Sequence, residues 1–272
     1  MHRSLRRRTT LCLIALLLAC GCHSLRPREE PRGPSIRVMT WNVNWGGPRA
    51  DLAVAAIAGA QPDIVCLQET TPAWEGYLRQ TLSDRYRFMV FKHPERWAAG
   101  GFAFLSKYPG ADPAVIPSAT GWFGAWAMSF DTPAGIVRVI NTHLMPAVND
   151  EGRFSIGAYL QVDSHHLREL ELFGKEIESP GPILIAGDLN ESDDDDTADW
   201  LAERGFSNSL PEFDSSSQTW SYQTSLFTIR KRLDHILYRE LHCCSAEVLE
   251  AGGSDHYPVI GVFTKPQDAR KE

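Results

Sequence analysis

Five short polar motifs, each beside an apolar run typical of a strand, supply carboxylate, amide and imidazole groups from every quarter of the chain. In chain order they are WNVN at 41–44, LQET at 67–70, GDLN at 187–190, RLD at 232–234 and SDH at 254–256. Such groups can hold a hard cation and can activate a water for attack on phosphorus. A hydrophobic core needs none of them, so together they predict an active site.

Asn42 and Glu69 are the candidate metal ligands. Asn42 ends the strand-like run 36–42, and Glu69 follows the buried run DIVCLQ. Strand ends can gather residues that are distant in sequence into one cleft on rigid supports. An amide oxygen and a hard carboxylate suit Mg²⁺, which keeps several waters and takes few carboxylates. Either residue alone would be explained as a polar group where a strand meets solvent, so the prediction depends on the whole set.

Asp188 and Asn190 are the candidates for handling a water. They lie two positions apart, so an extended backbone directs both side chains to one face. A carboxylate can take a proton from a water, and a neighbouring amide can hold the water or a phosphate. The motif GDLN alone is also what a Gly-Asp turn after a strand looks like.

Two histidines, His143 in NTHL and His256 in SDH, lie next to predicted strands. A histidine beside phosphate can donate a hydrogen bond or a proton to oxygens on which charge develops. Asp234 in RLDHIL is the natural carboxylate to keep such a ring protonated and oriented. Ordinary surface positions are predicted for His165, His166, His235 and His242.

The order of the apolar runs predicts the scaffold that must position these groups. Strands are predicted over 36–42, 63–68, 86–91, 101–106, 125–130, 137–142, 183–186, 233–238 and 259–263. Helices are predicted over 51–60, over 158–178 and around 200–204. Many strands with few helices do not fit a βαβ repeat and favour a two-sheet sandwich with helices outside. No linker or repeat divides residues 36–266, so one domain is predicted, followed by a tail at 267–272.

Residues 1–22 have the composition of an export signal. Four arginines precede a short apolar run, which is too short to span a bilayer. The run ends directly at Cys20, so Cys20 is the predicted lipidation site, with Cys22 as the alternative and an ordinary cleaved signal as the other interpretation. Residues 23–35 are charged and rich in proline, which predicts a disordered tether. The protein is therefore predicted to be exported and anchored to a membrane as a lipoprotein.

The charge of the chain limits how it could bind a polyanion. The formal net charge of the 272 residues is −7, and removal of the signal would delete four arginines and no acidic residue. A strongly acidic protein does not bind a polyanion through its overall field. Binding would need a bound cation or a local basic rim, for which the candidates are Lys175, Arg204, Arg230, Lys231 and Arg232.

The cysteines indicate neither a disulfide framework nor a zinc site. Cys66 lies in the apolar run DIVCL and is predicted to be a small buried side chain. Cys243 and Cys244 are adjacent, and no CxxC pair is present.

These motifs together resemble the endonuclease/exonuclease/phosphatase superfamily, which includes pancreatic-type deoxyribonuclease, exonuclease III-like repair enzymes, inositol polyphosphate 5-phosphatases and neutral sphingomyelinases. The matching stretches are VMTWNVN (38–44), DIVCLQET (63–70), GGFAFLSKYP (100–109), VINTHL (139–144), ILIAGDLN (183–190), RLDHIL (232–237) and SDHYPV (254–259). The resemblance implies a four-layered α/β sandwich, in which helices flank two packed, mainly antiparallel β-sheets. It also implies hydrolysis of a phosphoester with Mg²⁺, or with Mn²⁺ in its place.

The resemblance further implies a role for the residues at the metal and the water. Asn42 and Glu69 would bind the metal, and Asp255 would lie near it. Asp188 would activate the water, and Asn190 would position the water or the phosphate. One metal ion or two, and direct ligation by Asp255, stay open.

The histidines would act on the phosphate. His256, with Asp234 behind it, would stabilise the transition state, and His143 would contact the phosphate or assist the leaving group. The histidine of NTHL resembles the deoxyribonuclease, phosphatase and sphingomyelinase branches more than the repair enzymes. Three hypotheses follow: a phosphodiesterase acting on nucleic acid outside the cytoplasm, a phosphatase or phospholipase C-like enzyme acting on lipid or inositol phosphates, and a non-catalytic binding lipoprotein. A monomer is expected in each case.

Two further segments have alternative interpretations. The stretch GWFGAW at 121–126 has two tryptophans that could stack bases, meet a lipid headgroup or pack in the core. The stretch ESDDDDTADW at 191–200 resembles a calcium loop only loosely. We interpret it as acidic residues at a helix N-terminus, where the helix dipole favours them.

Overall fold

A computed structural model of the protein describes residues 25–47, 49–93, 96–146 and 162–266, without the side chains of Val162 and Asp163. The predicted signal with its lipidation site Cys20 lies outside the described residues, as does the predicted tail at 267–272. None of the described helices is long and apolar enough to cross a membrane.

The described chain is mostly β-structure. Its strands are β1 Ser35–Asn42, β2 Ile64–Gln68, β3 Phe88–Lys92, β4 Phe102–Ser106, β5 Gly110–Ile116, β6 Gly124–Thr132, β7 Gly135–His143, β8 Ile183–Asp188, β9 Ser207–Asn208, β10 Trp220–Gln223, β11 Thr228–Lys231, β12 Asp234–Arg239, β13 His242–Val248 and β14 Val259–Thr264. Its helices are α1 Ala50–Ala60, α2 Pro72–Leu82, α3 Val162–Glu171, α4 Gly174–Ile177, α5 Asp196–Ala202 and α6 Ser209–Phe213, with a 3₁₀ turn at Ala98–Gly100.

Twelve of the described strands form two six-stranded sheets. One sheet has the order β13-β14-β1-β2-β4-β3, and the other has the order β5-β6-β7-β8-β12-β9. Within each sheet one neighbouring pair is parallel, β1 with β2 and β7 with β8, and the other pairs are antiparallel. Strands β10 and β11 make a separate hairpin. The prediction of mainly antiparallel sheets is therefore confirmed.

Three apolar clusters hold the layers together. The cluster between the two sheets contains Ile36, Phe102, Phe104, Phe130 and Phe263. A second cluster packs α1 and α2 against the first sheet, and a third packs α3, α4 and α5 against the second sheet. The order is thus helix, sheet, sheet, helix, which confirms the four-layered α/β sandwich.

Alternation along β8 shows how one strand serves two of these clusters. Leu184 and Ala186 face the other sheet, whereas Ile183 and Ile185 face the helices. Successive side chains on a strand point to opposite faces, so a strand covered on both sides must be apolar throughout. This explains why the functional motifs follow uninterrupted apolar runs.

The helical segments differ in part from the predictions. The helix predicted over 158–178 is described from Val162 and is interrupted between α3 and α4. There Leu172 and Phe173 make backbone hydrogen bonds to carbonyls three residues back, and Gly174 follows, which is a poor helix former. Helix α2 was not predicted, although Thr71 caps it by accepting a hydrogen bond from the backbone N–H of Trp74.

Part of the predicted tether lies against the domain. The backbone N–H of Arg26 donates to the carbonyl of Glu212 at 2.7 Å, and that of Glu29 donates to the carbonyl of Cys244 at 2.8 Å. The Arg26 guanidinium also pairs with the Glu212 carboxylate. Composition alone does not reveal these partners on the domain, and the tether over 23–35 stays a prediction.

Candidate active site

The two parallel strand pairs end at the same place, and this convergence builds the site. Asn42, the last residue of β1, is the register partner of Gln68, and Glu69 comes next. His143, the last residue of β7, is the register partner of Asp188, the last residue of β8. The carboxyl ends of parallel strands lie side by side, so residues from four segments meet at one edge of the sandwich.

A side-chain amide bridges two carboxylates at the centre of this edge. Asn42 Nδ2 donates to Glu69 Oε1 at 2.9 Å and to Asp188 Oδ2 at 3.1 Å. Glu69 also accepts from the backbone N–H of Trp45 at 3.1 Å. Burial, with Asp188 nearby, raises the pKa of Glu69 above its ordinary value. A buried carboxylate and a half-buried one that share a single donor form a site in which an added positive charge is favoured.

His256 is held by carboxylates on both ring nitrogens. Its Nδ1 lies 2.8 Å from Asp234 Oδ2, and its Nε2 lies 3.6 Å from Asp188 Oδ2. Burial alone would lower the pKa of His256, but Asp234 and then Asp188 outweigh it and raise the pKa to about 10. This balance favours the imidazolium form of the ring at neutral pH.

His143 lies on the other side of the same carboxylate and is neutral. Its Nε2 is 3.6 Å from Asp188 Oδ2, and its ring stacks on Phe123 with centroids 4.0 Å apart. Burial lowers the pKa of His143 to about 4. Its Nδ1 is buried without a hydrogen-bond partner among the described residues, so a bound molecule can supply that partner.

Asn190 supports Asp188 through the backbone. The N–H of Asn190 donates to Asp188 Oδ1 at 2.9 Å, and its side-chain Nδ2 donates to the carbonyl of Leu144 at 2.9 Å. Asn190, Glu69 and Asn44 all have positive φ, at 53°, 61° and 58°. Asparagine tolerates such backbone angles, but they are unfavourable for glutamate, and strained backbone concentrates at functional sites.

Asp255 belongs to the site but is held by residues that the sequence analysis missed. Its Oδ1 accepts from Asn44 Nδ2 at 2.8 Å, and its Oδ2 accepts from Trp220 Nε1 at 3.2 Å. Both oxygens therefore have donors already, which favours a positioning role over direct ligation of a metal. Asn44 lies within the WNVN motif, so that motif could have indicated that Asn44 belongs to the site. Nothing in the sequence indicated Trp220.

The donor set fits a hard cation at Glu69. Asp188, Asp234 and His256 offer ligand atoms within 4.8 Å of one another. A metal-binding histidine must be neutral, however, and both carboxylates of that trio stabilise the protonated ring. Burial disfavours the negative charge of the Glu69 carboxylate, and a cation at its oxygen would offset that cost. Asn42 would offer its amide oxygen only if the amide turned over, since Nδ2 now faces the carboxylates.

A further pair of amides joins the sheets beneath the site. Gln68 Nε2 donates to Asn141 Oδ1 at 2.8 Å, and Asn141 Nδ2 donates to the carbonyls of Leu67 and Ala103, each at 3.0 Å. All of these groups are buried. Gln68 and Asn141 lie in the motifs LQET and NTHL, where only Glu69 and His143 had been assigned roles. Their contribution is to set the spacing of the parallel strand ends.

Two histidines predicted at the surface are in fact buried. His166 is fully buried, its Nδ1 pairs with the Glu191 carboxylate, and its Nε2 lies 2.6 Å from the carbonyl of Met145. His235 is also buried, with Nε2 2.9 Å from the carbonyl of Glu191. The prediction was wrong for both because their partners, Met145 and Glu191, lie on segments that the local sequence does not reveal. His165 and His242 are half-buried.

The remaining surface predictions are corrected in part. Arg232 is buried and pairs with Asp193, so it is no part of a basic rim, while Lys175, Arg204, Arg230 and Lys231 are exposed. The acidic stretch leads into α5, as predicted. Cys66, Cys243 and Cys244 are buried free thiols.

Fold and site together define an α/β-sandwich hydrolase that gathers an acid pair, an amide and two histidines at its strand ends. Residues 39–256 match the Endonuclease/Exonuclease/phosphatase family. Because the match spans well over half of the 272 residues, the chain belongs to this family. Members of the family hydrolyse phosphoester bonds and use a divalent metal, so the chain is a phosphoesterase.

Several known proteins are similar to the chain. UPF0294 protein VV1_1880 of Vibrio vulnificus (strain CMCP6) is 26% identical over 267 residues, which are 92% of this chain and 84% of that protein. Humanized D. rerio TDP2 with 14 mutations has a TM-score of 0.64 at 17% identity, covering 85% of this chain and 99% of that chain. The endonuclease/exonuclease/phosphatase from Beutenbergia cavernae DSM 12333 has a TM-score of 0.64 at 19% identity, covering 85% and 72%.

A third solved structure contains a ligand. D. rerio TDP2 complexed with single strand DNA product has a TM-score of 0.61 at 19% identity, covering 85% of this chain and 99% of that chain. At these identities the likeness to the solved structures is one of fold.

Proposed function

We propose that this protein is a magnesium-dependent phosphodiesterase that cleaves nucleic acid outside the cytoplasm. The observation that carries the proposal is the setting of Asp188, which lies between a protonated His256 and a neutral His143 and shares a donor with Glu69. This arrangement combines a proton acceptor, a fixed positive charge and a place for a cation around one oxygen.

The proposed roles follow from the state of each group. Asp188 takes a proton from the water that attacks phosphorus, and Asn190 helps to hold that water. His256 donates to the phosphoryl oxygens as negative charge grows on them, while Asp234 keeps its ring charged. A neutral His143 donates a single hydrogen bond to the phosphate. The net reaction adds one water across the P–O ester bond.

The cation would be held by Glu69, with Asn42 beside it and Asp255 behind as a positioning residue. When bound, it would polarise the phosphoryl oxygen and neutralise developing charge. Oxygen ligands and few carboxylates favour Mg²⁺, and Mn²⁺ accepts the same donors. Asn42 Nδ2 supplies the donor that the two carboxylates share.

Two observations support nucleic acid as the substrate. A protein of the same fold, D. rerio TDP2, has been solved with a single-stranded DNA product. The exposed cations Arg230 and Lys231 on the β10–β11 hairpin also offer contacts to a phosphate backbone despite the acidic net charge. Lys175 and Arg204 lie toward the opposite end of β8 and are not part of such a rim.

A phosphoester in a lipid is the second candidate substrate. The hairpin β10–β11 exposes Leu226 by 87% and Phe227 by 59%. The same hairpin carries Trp220, which hydrogen-bonds to Asp255 in the site. An apolar tip next to the active site favours a substrate at a membrane surface. It also suits an enzyme that is exported and anchored through Cys20 as a monomer, which we propose for this protein.

Nicking of supercoiled plasmid by the full chain in Mg²⁺ tests the proposal, with Asp188→Asn as the control. We expect nicking that requires the metal and is lost in the variant. Folded protein that leaves the plasmid intact but hydrolyses phosphate esters of lipids or inositols would overturn nucleic acid as the substrate and retain the roles of the residues.

A further inference from the structure

A row of aromatic rings leads from the surface to the active site. We define the aromatic row as Trp97, Trp122, Phe123 and His143. The indoles of Trp97 and Trp122 stack in parallel, with centroids 4.5 Å apart and planes 7° apart. Trp122 meets Phe123 edge-on at 5.7 Å, and Phe123 stacks on His143 at 4.0 Å. The row therefore ends on a ring whose Nε2 is 3.6 Å from Asp188.

The outer end of the aromatic row is not part of the hydrophobic interior. Trp97 and Trp122 are both half-buried, and neither belongs to the three apolar clusters of the described chain. The neighbouring Trp126 differs, since it is 8% exposed and packs between the sheets. The stretch GWFGAW thus contains one tryptophan in the hydrophobic core, Trp126, and one outside it, Trp122.

The segment that carries Trp122 is held in place before any ligand arrives. The carboxylate of Glu169, itself 1% exposed, accepts from Ser118 Oγ at 2.6 Å and from Thr120 Oγ1 at 2.9 Å. Ser118 Oγ in turn accepts from the backbone N–H of Trp122 at 3.1 Å. A buried charge that supports an exposed turn fixes the indole in one orientation, and a pre-ordered surface loses less entropy on binding.

Trp97 is held by a separate set of contacts. Its Nε1 donates to the carbonyl of Gly121 at 3.2 Å, and the Arg96 guanidinium lies 5.0 Å from its ring centroid. Gly121 has φ +80°, a left-handed angle that favours glycine at this turn. Arg96 is exposed and places a positive charge at the outer end of the aromatic row.

We propose that the aromatic row is a stacking subsite for a nucleobase next to the scissile phosphate, on the His143 side of the site. The inference rests on the proposed function, because it assumes a nucleic acid substrate. Flat aromatic faces bind every base through its π-face, and a nearby guanidinium attracts the adjoining phosphate. The subsite therefore selects for a base without selecting a sequence.

A nucleobase fits the aromatic row better than a membrane does. Rings that insert into lipid must project into solvent, whereas Trp97 and Trp122 are half-buried and stacked. The side chains that do project are Leu226 and Phe227, and these lie on the β10–β11 hairpin instead. Stacked planes beside the reacting phosphate are suited to a planar group that is bonded to that phosphate through a sugar.

Binding of two oligomers by the full chain tests the proposal. The inactive Asp188→Asn chain serves as background, and the probes are a labelled oligothymidylate and an abasic phosphodiester oligomer of the same length. We expect Trp122→Leu and Trp97→Leu to weaken oligothymidylate binding about tenfold, which is within the range for loss of one stacked base. Binding of the abasic oligomer should stay the same. The matched control is Trp200→Leu, which removes an indole that also carries an arginine, Arg204, at 3.5 Å.

The outcomes separate this inference from the proposed function. Equal losses for both oligomers, or no loss in either variant, would overturn the subsite while plasmid nicking by the unmodified chain still supports the nuclease. Phosphatidylcholine vesicle binding that falls in Trp122→Leu while oligomer binding stays would assign the row to a membrane and overturn the inference. No oligomer binding together with no nicking would overturn both.

Discussion

His143 and His256 each place Nε2 3.6 Å from the same oxygen, Oδ2 of Asp188, and yet they differ in charge at neutral pH. Burial lowers the pKa of His143 to about 4, and its Nδ1 has no partner among the described residues. Burial acts on His256 in the same direction, but Asp234 on its Nδ1 helps to raise the pKa to about 10. The different protonation of two similarly placed rings is therefore set largely by Asp234.

Replacement of Asp234 by Asn should lower the pKa of His256, because the favourable charge is lost and burial remains. The protonated ring is the active form, so activity is present below its pKa and is lost as the pH rises through it. The alkaline limb of kcat should therefore move to lower pH, and kcat at neutral pH should fall about 10²-fold. Profiles of kcat against pH for both proteins measure this.

Asp199→Asn is the matched control, since Asp199 is an exposed carboxylate on α5. It should leave the alkaline limb where it is. An Asp234→Asn profile with the same limb as the unmodified protein would exclude His256 as the group that titrates there.

Glu69→Gln should raise the metal concentration needed for half-maximal activity by about tenfold or more. The reason is that Glu69 supplies the charged oxygen of the proposed cation site. Without metal the variant should be at least as stable as the unmodified protein, because burial and Asp188 both disfavour the Glu69 carboxylate. Activity titrations with Mg²⁺ and metal-free thermal unfolding give the two readouts.

The variant Glu75→Gln serves as a comparison, since Glu75 lies outside the site and pairs with Arg79 and His93 near the surface. It should change neither the metal requirement nor the stability by much. If Glu69→Gln leaves the metal requirement unchanged, Glu69 is not a ligand.

His166→Gln should destabilise the fold by about 3 kcal/mol, because the Glu191 charge would stay buried without its charged partner and keep only the donors of Thr197. Burial alone would lower the pKa of His166, but Glu191 outweighs it and raises the pKa. A raised pKa contributes stability below the unfolded value of about 6.5, and that stability is lost as the pH rises through the folded pKa. The advantage of the unmodified protein should therefore shrink toward alkaline pH in chemical denaturation.

A double-mutant cycle with Glu191→Gln isolates this pair. Since the two side chains act together, the double variant should be clearly less destabilised than the sum of the single variants. Additive losses, or an advantage that does not depend on pH, would show that His166 acts only by packing.

Gly187→Ala should reduce both stability and turnover. A Cβ at Gly187 would lie 1.9 Å from the backbone carbonyl of Thr142 on β7, so the strand that ends in Asp188 must shift. We expect a loss of about 1–3 kcal/mol in the free energy of unfolding, together with a fall in kcat. Gly59→Ala on α1 is the control, because no atom lies within 4 Å of the added Cβ and alanine favours a helix. Equal stability of the two variants would contradict the expected clash.

Cys20→Ser should release the protein from the membrane fraction of cells that make it. The reason is that the predicted lipid anchor requires the thiol of that residue. Fractionation and lipid labelling of the full chain provide the measurement. Continued labelling of the variant would indicate Cys22 as the lipid-bearing residue, and an unlabelled but exported original chain would indicate an ordinary cleaved signal.

Local patterns were sufficient to locate the strands that carry the site. Apolar runs before Asn42, Glu69, His143 and Asp188 predicted strand ends, and the structure has a strand end at or directly before each of them. A strand buried on both faces must be apolar along its whole length, so it is visible in sequence. Strand β13 was missed because its sequence mixes polar and apolar residues. Helix α2 was missed although Trp74, Leu78 and Leu82 recur every four residues, as on the buried face of a helix.

The sequence by itself determined the types of group at the site, since carboxylate, amide and imidazole are covalent properties of the motifs. Only the tertiary structure decided the charge that each group holds. Protonation depends on burial and on distances between segments far apart in the chain, such as the 2.8 Å between His256 and Asp234. The same reason explains His166, whose partner Glu191 lies on another segment, and Trp122, whose ring partner Trp97 comes from a different loop.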